Sequence, residues 1–247
     1  MMRFVLPICL FTVLYLTIMS LPAFALDEIY SPNVEPHELA FEYNGSRTFD
    51  NQAAKNNTQT HELVMEYGVN NHWETEVNTG FGKDATQSDP RLTGYEWANR
   101  FQFFPQGKYW LDSGLLVAFT KAAHSGDADT LEVKLLLQKD IGRFTSVANI
   151  GFEQSVGPHA AGGPDNLFLW STRYRENEKF QPGFEIQSDL GQDGTLRHFS
   201  AQQHYVGPAL YGRLFGHIHY ETAYLFGVSS AAAQSAARLQ IEYEMHI

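Results

Sequence analysis

From Glu38 to Ile247 the chain alternates apolar and polar residues in runs of about ten, the period-two signature of strands with two unlike faces. The last run shows it well. Leu239, Ile241, Tyr243, Met245 and Ile247 share one face, and Arg238, Gln240, Glu242, Glu244 and His246 share the other. Twelve such runs predict strands near 38–48, 59–69, 72–82, 92–104, 109–120, 130–140, 143–154, 167–175, 180–188, 202–212, 217–228 and 236–247. Short connections rich in turn formers (Asn70-Asn71, Pro105 to Lys108, Ile141-Gly142, Glu176 to Lys179, Arg213 to Gly216) alternate with longer polar ones at 49–58, 83–91, 121–129, 155–166, 189–201 and 229–235. This sorting predicts an all-β fold: a transmembrane antiparallel up-and-down β-barrel of 12 strands, with short periplasmic turns and longer extracellular loops. A soluble β-sandwich has no reason to sort its loops by length.

One face of each run carries the apolar residues that would meet lipid. Leu63, Met65, Tyr67 and Val69 begin the series, followed by Trp73, Val77 and Phe81, then Leu131, Val133, Leu135 and Leu137. Tyr43, Tyr67, Trp73, Phe103, Tyr109, Phe180 and Tyr243 fall near run ends, where an aromatic girdle would lie. The alternation is mixed over Gln202 to Tyr211, and Pro182 and Pro208 sit inside runs, where proline is confined to edges and bulges.

The first residues set the compartment. Met1-Met-Arg3, an uncharged apolar run from Phe4 to Leu21 and the A-x-A pattern Ala23-Phe24-Ala25 read as a cleaved signal peptide over 1–25. Residues 26–37, with Pro32 and Pro36, read as an extended periplasmic lead-in, and 38–247 as the barrel. Cys9 lies in the leader and is the only cysteine, which excludes a disulfide scaffold and any cysteine-based nucleophile or metal site. Removing Arg3 leaves 16 Lys+Arg against 28 Asp+Glu, a net charge near −12, which argues against nucleic acid as a partner. Aromatic residues make up 14% of a chain of moderate hydropathy, a balance that suits aromatic girdles around a polar lumen.

The polar face supplies the candidate lumen: Glu74, Glu76, Glu96, Arg100, Glu132, Lys134, Arg173, Arg175, Glu221, Glu242 and Glu244. Acids on this face outnumber bases about three to one. Buried charges persist only when paired, hydrogen-bonded or hydrated, so the excess predicts a wet acidic passage that concentrates cations. The alternative is a plugged Glu/Arg network that holds the barrel in shape. No catalytic set is expected. His124-Ser125 lies in a loop, and no run places a Ser and a His together on the apolar face, as a lipid hydrolase acting from the barrel wall requires. An outer-membrane protease would need paired carboxylates and a His at the outer rim; Asp84, Asp89, Asp127 and Asp129 fall in outer loops, but acids are ordinary loop residues. No metal site is expected either. His217, His219 and Glu221 alternate on one face with His246 nearby, but a full tetrahedral set is missing, and Gly162-Gly-Pro-Asp-Asn166 lacks the acid spacing of a calcium loop.

The stretch Glu28-Ile-Tyr-Ser-Pro-Asn-Val-Glu-Pro-His-Glu-Leu-Ala-Phe-Glu-Tyr43 resembles the opening of uncharacterised bacterial outer-membrane barrels grouped near the phenol meta-pathway transporter-like, small porin-like proteins. The layout is also similar to twelve-stranded acidic-oligosaccharide porins, from which the chain departs in its acidic rather than basic polar face. The resemblance implies a Gram-negative outer-membrane location and a transport role. The resulting expectation is a monomeric barrel that passes small cationic or neutral solutes, needs no cofactor, and has outer-membrane lipids and lipopolysaccharide as neighbours. A structural barrel acting through its extracellular loops, or a barrel lipid hydrolase or protease, is the alternative.

Overall fold

The computed structural model describes residues 26–191 and 198–247. The expected signal peptide and residues 192–197 of the connection between the ninth and tenth strands lie outside the described residues. Twelve strands follow one another: β1 (Glu38–Phe49), β2 (Gln59–Asn70), β3 (Trp73–Lys83), β4 (Arg91–Gln102), β5 (Asp112–Ala122), β6 (Asp129–Ile141), β7 (Phe144–Val156), β8 (Asp165–Tyr174), β9 (Gln181–Gly191), β10 (Gln203–Leu214), β11 (Ile218–Gly227) and β12 (Ser235–His246). Each pairs antiparallel with its sequence neighbours, and β1 pairs with β12 from Glu38↔His246 to Phe49↔Ser235, so the sheet closes without an edge.

Period-two patterning fixes which side chains point out. Leu63, Met65, Val77, Leu131, Leu135, Ile150, Leu239 and Ile241 form an exposed aliphatic belt. Exposed aromatics flank it: Phe101, Phe103, Phe104, Tyr109, Trp110, Phe144, Phe180 and Tyr243 toward the short turns, and Phe49, Phe119, Phe152 and Phe226 toward the long loops. The β10–β11 turn needs positive φ at Phe215 (53°) and Gly216 (78°), as a two-residue hairpin turn whose twist matches its strands requires.

One connection is longer than the sequence predicts. The β4–β5 turn spans 103–111 rather than 105–108, because both strands stop short of the aromatic cluster between them. Lys108 N–H donates to the Pro105 carbonyl (3.1 Å), the Asp112 carboxylate accepts from Gly107 N–H (2.6 Å), and Phe104 packs edge-on to Tyr109 (4.7 Å between centroids). These local bonds hold the aromatics in the girdle without strand pairing.

The larger departure is at the start of the described chain. The expected lead-in, 26–37, lies inside the barrel. His37, with φ of 62°, is the reversal point. Its N–H donates to the Gly68 carbonyl (2.7 Å), its carbonyl accepts from Ile247 N–H (3.0 Å), and β1 begins at the next residue. From this short-turn end the strap runs up the lumen to Leu26, which packs with Tyr205, Leu225, Ala232 and Ala236 near the long loops.

Candidate functional site

The strap is held by neutral amides on inward positions of the wall. Asp27 N–H donates to Gln187 Oε1 (2.8 Å) and the Asp27 carbonyl accepts from Gln187 Nε2 (3.1 Å). Asn149 makes the same two-way contact with the backbone of Tyr30, both bonds 2.8 Å. Val34 N–H donates to Gln102 Oε1 (2.9 Å), Ser31 Oγ to Gln138 Oε1 (2.9 Å), and Arg100 Nη1 to the Ser31 carbonyl (3.1 Å). An extended segment crossing a lumen has no neighbouring strand to pair with, so side-chain amides supply the missing ladder.

Small inward residues make the room. A Cβ on Gly68 would lie 1.9 Å from the Glu35 carbonyl oxygen, and one on Gly114 would lie 3.1 Å from the Pro32 side chain. Ala98 and Ala118, with Leu116 and Leu136, enclose Tyr30, while Val147 and Leu169 enclose Ile29. Counting charges on the polar face missed these residues. The signal was present as Gln102, Gln138, Asn149 and Gln187, four uncharged amides at inward positions of four different strands, all at least nine-tenths buried.

Above the strap, in the half of the lumen nearest the long loops, lies a cavity of about 360 Å³. Asp27, Tyr30 and Lys134 form its floor, and Lys134 Nζ pairs with Asp27 (2.8 Å) and Glu132 (2.9 Å). Glu62, Glu96 and Glu153 stand on its walls, and Asp165 and Asp189 line it closer to the strand ends. Glu96 accepts from Asn78 Nδ2 (2.9 Å) and Thr120 Oγ1 (2.6 Å). Lys134 is the single base among these lining residues.

The remaining predicted lumen residues fall into separate groups. Beside the strap, Arg100 contacts Glu74 and approaches Glu66 (3.6 Å), with Glu76 next to them and fully buried. Across the barrel, Arg238 pairs with Glu185 (2.7 Å) and Glu221 (2.9 Å), and the Tyr211 hydroxyl donates to Glu185 (2.7 Å). Arg173 lies 3.9 Å from Glu221, and Arg175, just past β8, pairs with Asp140 at the short-turn end (2.9 Å). Glu242 and Glu244 face His219 (3.9 and 3.2 Å), and Glu244 also binds Arg213. The passage expected through the whole barrel is therefore narrowed by the strap that runs within it.

His217, His219 and Glu221 do not converge on one point. His217 packs against the outward Tyr243 ring (6.4 Å), His219 turns to Glu242 and Glu244, and His246 reaches Glu38 (3.5 Å). Among the outer-loop acids, Asp84 accepts from the Thr86 hydroxyl and backbone N–H, which holds its carboxyl below the usual carboxylate range. His124 sits 3.6 Å from Asp127 in an exposed loop. No single strand carries a Ser and a His together on its apolar face. The register of β9 and β10 nevertheless places Ser188 opposite His204, with Oγ 2.8 Å from Nδ1, while Nε2 lies 2.7 Å from Gln202 Oε1. Phe199 stacks on His204 (4.5 Å) and Ser188 is 4% exposed, so the group is closed to an incoming acyl chain.

No protein-family model matches the chain, and no curated protein does. Solved structures do. An outer membrane channel from Pseudomonas putida F1 superposes with a TM-score of 0.62 at 9% identity, covering 90% of this chain and 100% of its own. The NanC porin superposes with a TM-score of 0.55 at 11% identity, covering 83% of this chain and 100% of its own. At such identities the likeness is one of fold, and the fold is that of an outer-membrane porin-like β-barrel.

Proposed function

We propose that the chain is an outer-membrane channel for small solutes, with cations or neutral molecules favoured, and that the strap sets how far it is open. The exposed aliphatic belt between aromatic girdles supports a bilayer location, since a continuous apolar surface of this kind is costly in water. The long loops then face outward and the cavity is an extracellular vestibule.

The observation that carries the reading is the lining of that vestibule. Carboxylates on seven positions surround one ammonium, and that ammonium is engaged by Asp27 and Glu132. Low-dielectric walls focus such a field, so the mouth concentrates cations and repels anions. Solute that enters meets the strap at Asp27 and Tyr30, and its onward path requires the strap to shift. Reversal potentials across a planar bilayer in a potassium chloride gradient test the preference. A cation-side potential that shrinks in Glu62→Gln/Glu153→Gln is expected; an anion-side potential would sink the reading.

A further inference from the structure

We propose that Glu66, Glu74 and Glu76 form a binding site for a hard divalent cation, calcium above magnesium, in the short-turn half of the lumen. The three come from adjacent strands. Glu66 and Glu76 are direct cross-strand partners, and Glu74 stands two residues along β3, opposite Gly68. One carboxylate oxygen from each lies within 4.8 Å of the others. Calcium takes oxygen ligands at about 2.3–2.6 Å, so a single ion between them reaches all three.

Burial and hydrogen bonding point to a missing partner. Glu66, Glu74 and Glu76 are 8%, 6% and 0% exposed. Neither oxygen of Glu76 has a hydrogen-bond partner, although both are shut off from solvent. Buried carboxylates without partners are rare because the desolvation cost is left uncompensated. Arg100 is the one base at the cluster, and it engages Glu74 and Glu66, not Glu76. Three carboxylates against one guanidinium leave two negative charges, which one divalent cation neutralises. An all-carboxylate donor set selects a hard ion over zinc or copper, which favour nitrogen and sulfur. Because Arg100 also holds the Ser31 carbonyl, an ion here would sit beside the strap.

The site is separate from the vestibule and stands or falls independently of the channel reading. The test uses the full mature chain, refolded in non-ionic detergent free of lipopolysaccharide, treated with chelator and dialysed against radioactive calcium. Roughly one bound ion per barrel is expected, with a raised thermal unfolding midpoint that chelator reverses, as binding to the folded state requires. Glu76→Gln should lose both effects while keeping the heat-dependent gel shift of a folded barrel. Glu66→Gln, which spares the Arg100–Glu74 contact, is the second variant should the first fail to assemble. Glu153→Gln, in the vestibule, should bind as the parent does. Absence of bound calcium in the parent, the outcome if Glu76 is simply protonated, overturns the site. Undiminished binding in an assembled Glu76→Gln or Glu66→Gln also overturns it.

Discussion

Arg238 and Glu185 meet inside the wall with 3% and 0% of their side chains exposed, and the carboxylate also accepts from the Tyr211 hydroxyl and Gln187 Nε2. Removing one partner strands the other in a place water cannot reach. Arg238→Ala should therefore cost about 3–5 kcal/mol of unfolding free energy, whereas the paired change Arg238→Met/Glu185→Gln should recover most of it. Urea titration in detergent, followed by tryptophan fluorescence, measures both. At this scale alternation made the face of each residue legible, since Glu74, Glu96, Glu132 and Glu221 follow from period two alone. Partners were not legible, because register is a property of strand pairs. Nothing in the run containing Ser188 announces that His204 of the next strand will stand opposite it. In the same way His219 meets Glu242 and Glu244 rather than Glu221, its neighbour two residues along.

The strap is the element on which permeability turns. Leu26, Ile29, Tyr30 and Val34 are all buried, which favours docking by about 1.5–3 kcal/mol per side chain at most. Its hydrogen bonds add about 1 kcal/mol each. Ordering the backbone costs about 1–2 kcal/mol per residue, a sum of similar size over this length. The docked state is thus finely balanced, and a local change should release it. Gly68→Val drives a side chain into the Glu35 carbonyl. It should raise the protease sensitivity of the strap and the channel conductance while leaving the barrel's heat-dependent gel shift intact. Strand boundaries were legible to within a few residues because each run ends in turn formers. The 103–111 turn was not, since Phe103, Phe104, Tyr109 and Trp110 satisfy a strand pattern equally well while serving the girdle. The strap's path was hidden for another reason: an extended, proline-containing segment looks alike whether it trails in solvent or threads a lumen.

At the scale of the whole molecule, charge is sorted along the barrel axis. The long-loop half holds an acid-lined cavity, the short-turn half holds Arg100, Arg213, Arg175 and their carboxylate partners, and the strap runs between the two ends. Composition made the acid excess legible but not this layering, which depends on a segment outside the strand pattern. The direct measurement is single-channel conductance of the mature chain beside a form lacking residues 26–34, both checked for assembly by gel shift, with Asn149→Ala/Gln187→Ala as a milder release of the strap. The account predicts small or rare openings in the parent, and larger, cation-preferring ones in both variants. Equal conductance in all three, or silence in assembled strapless barrels, would contradict it.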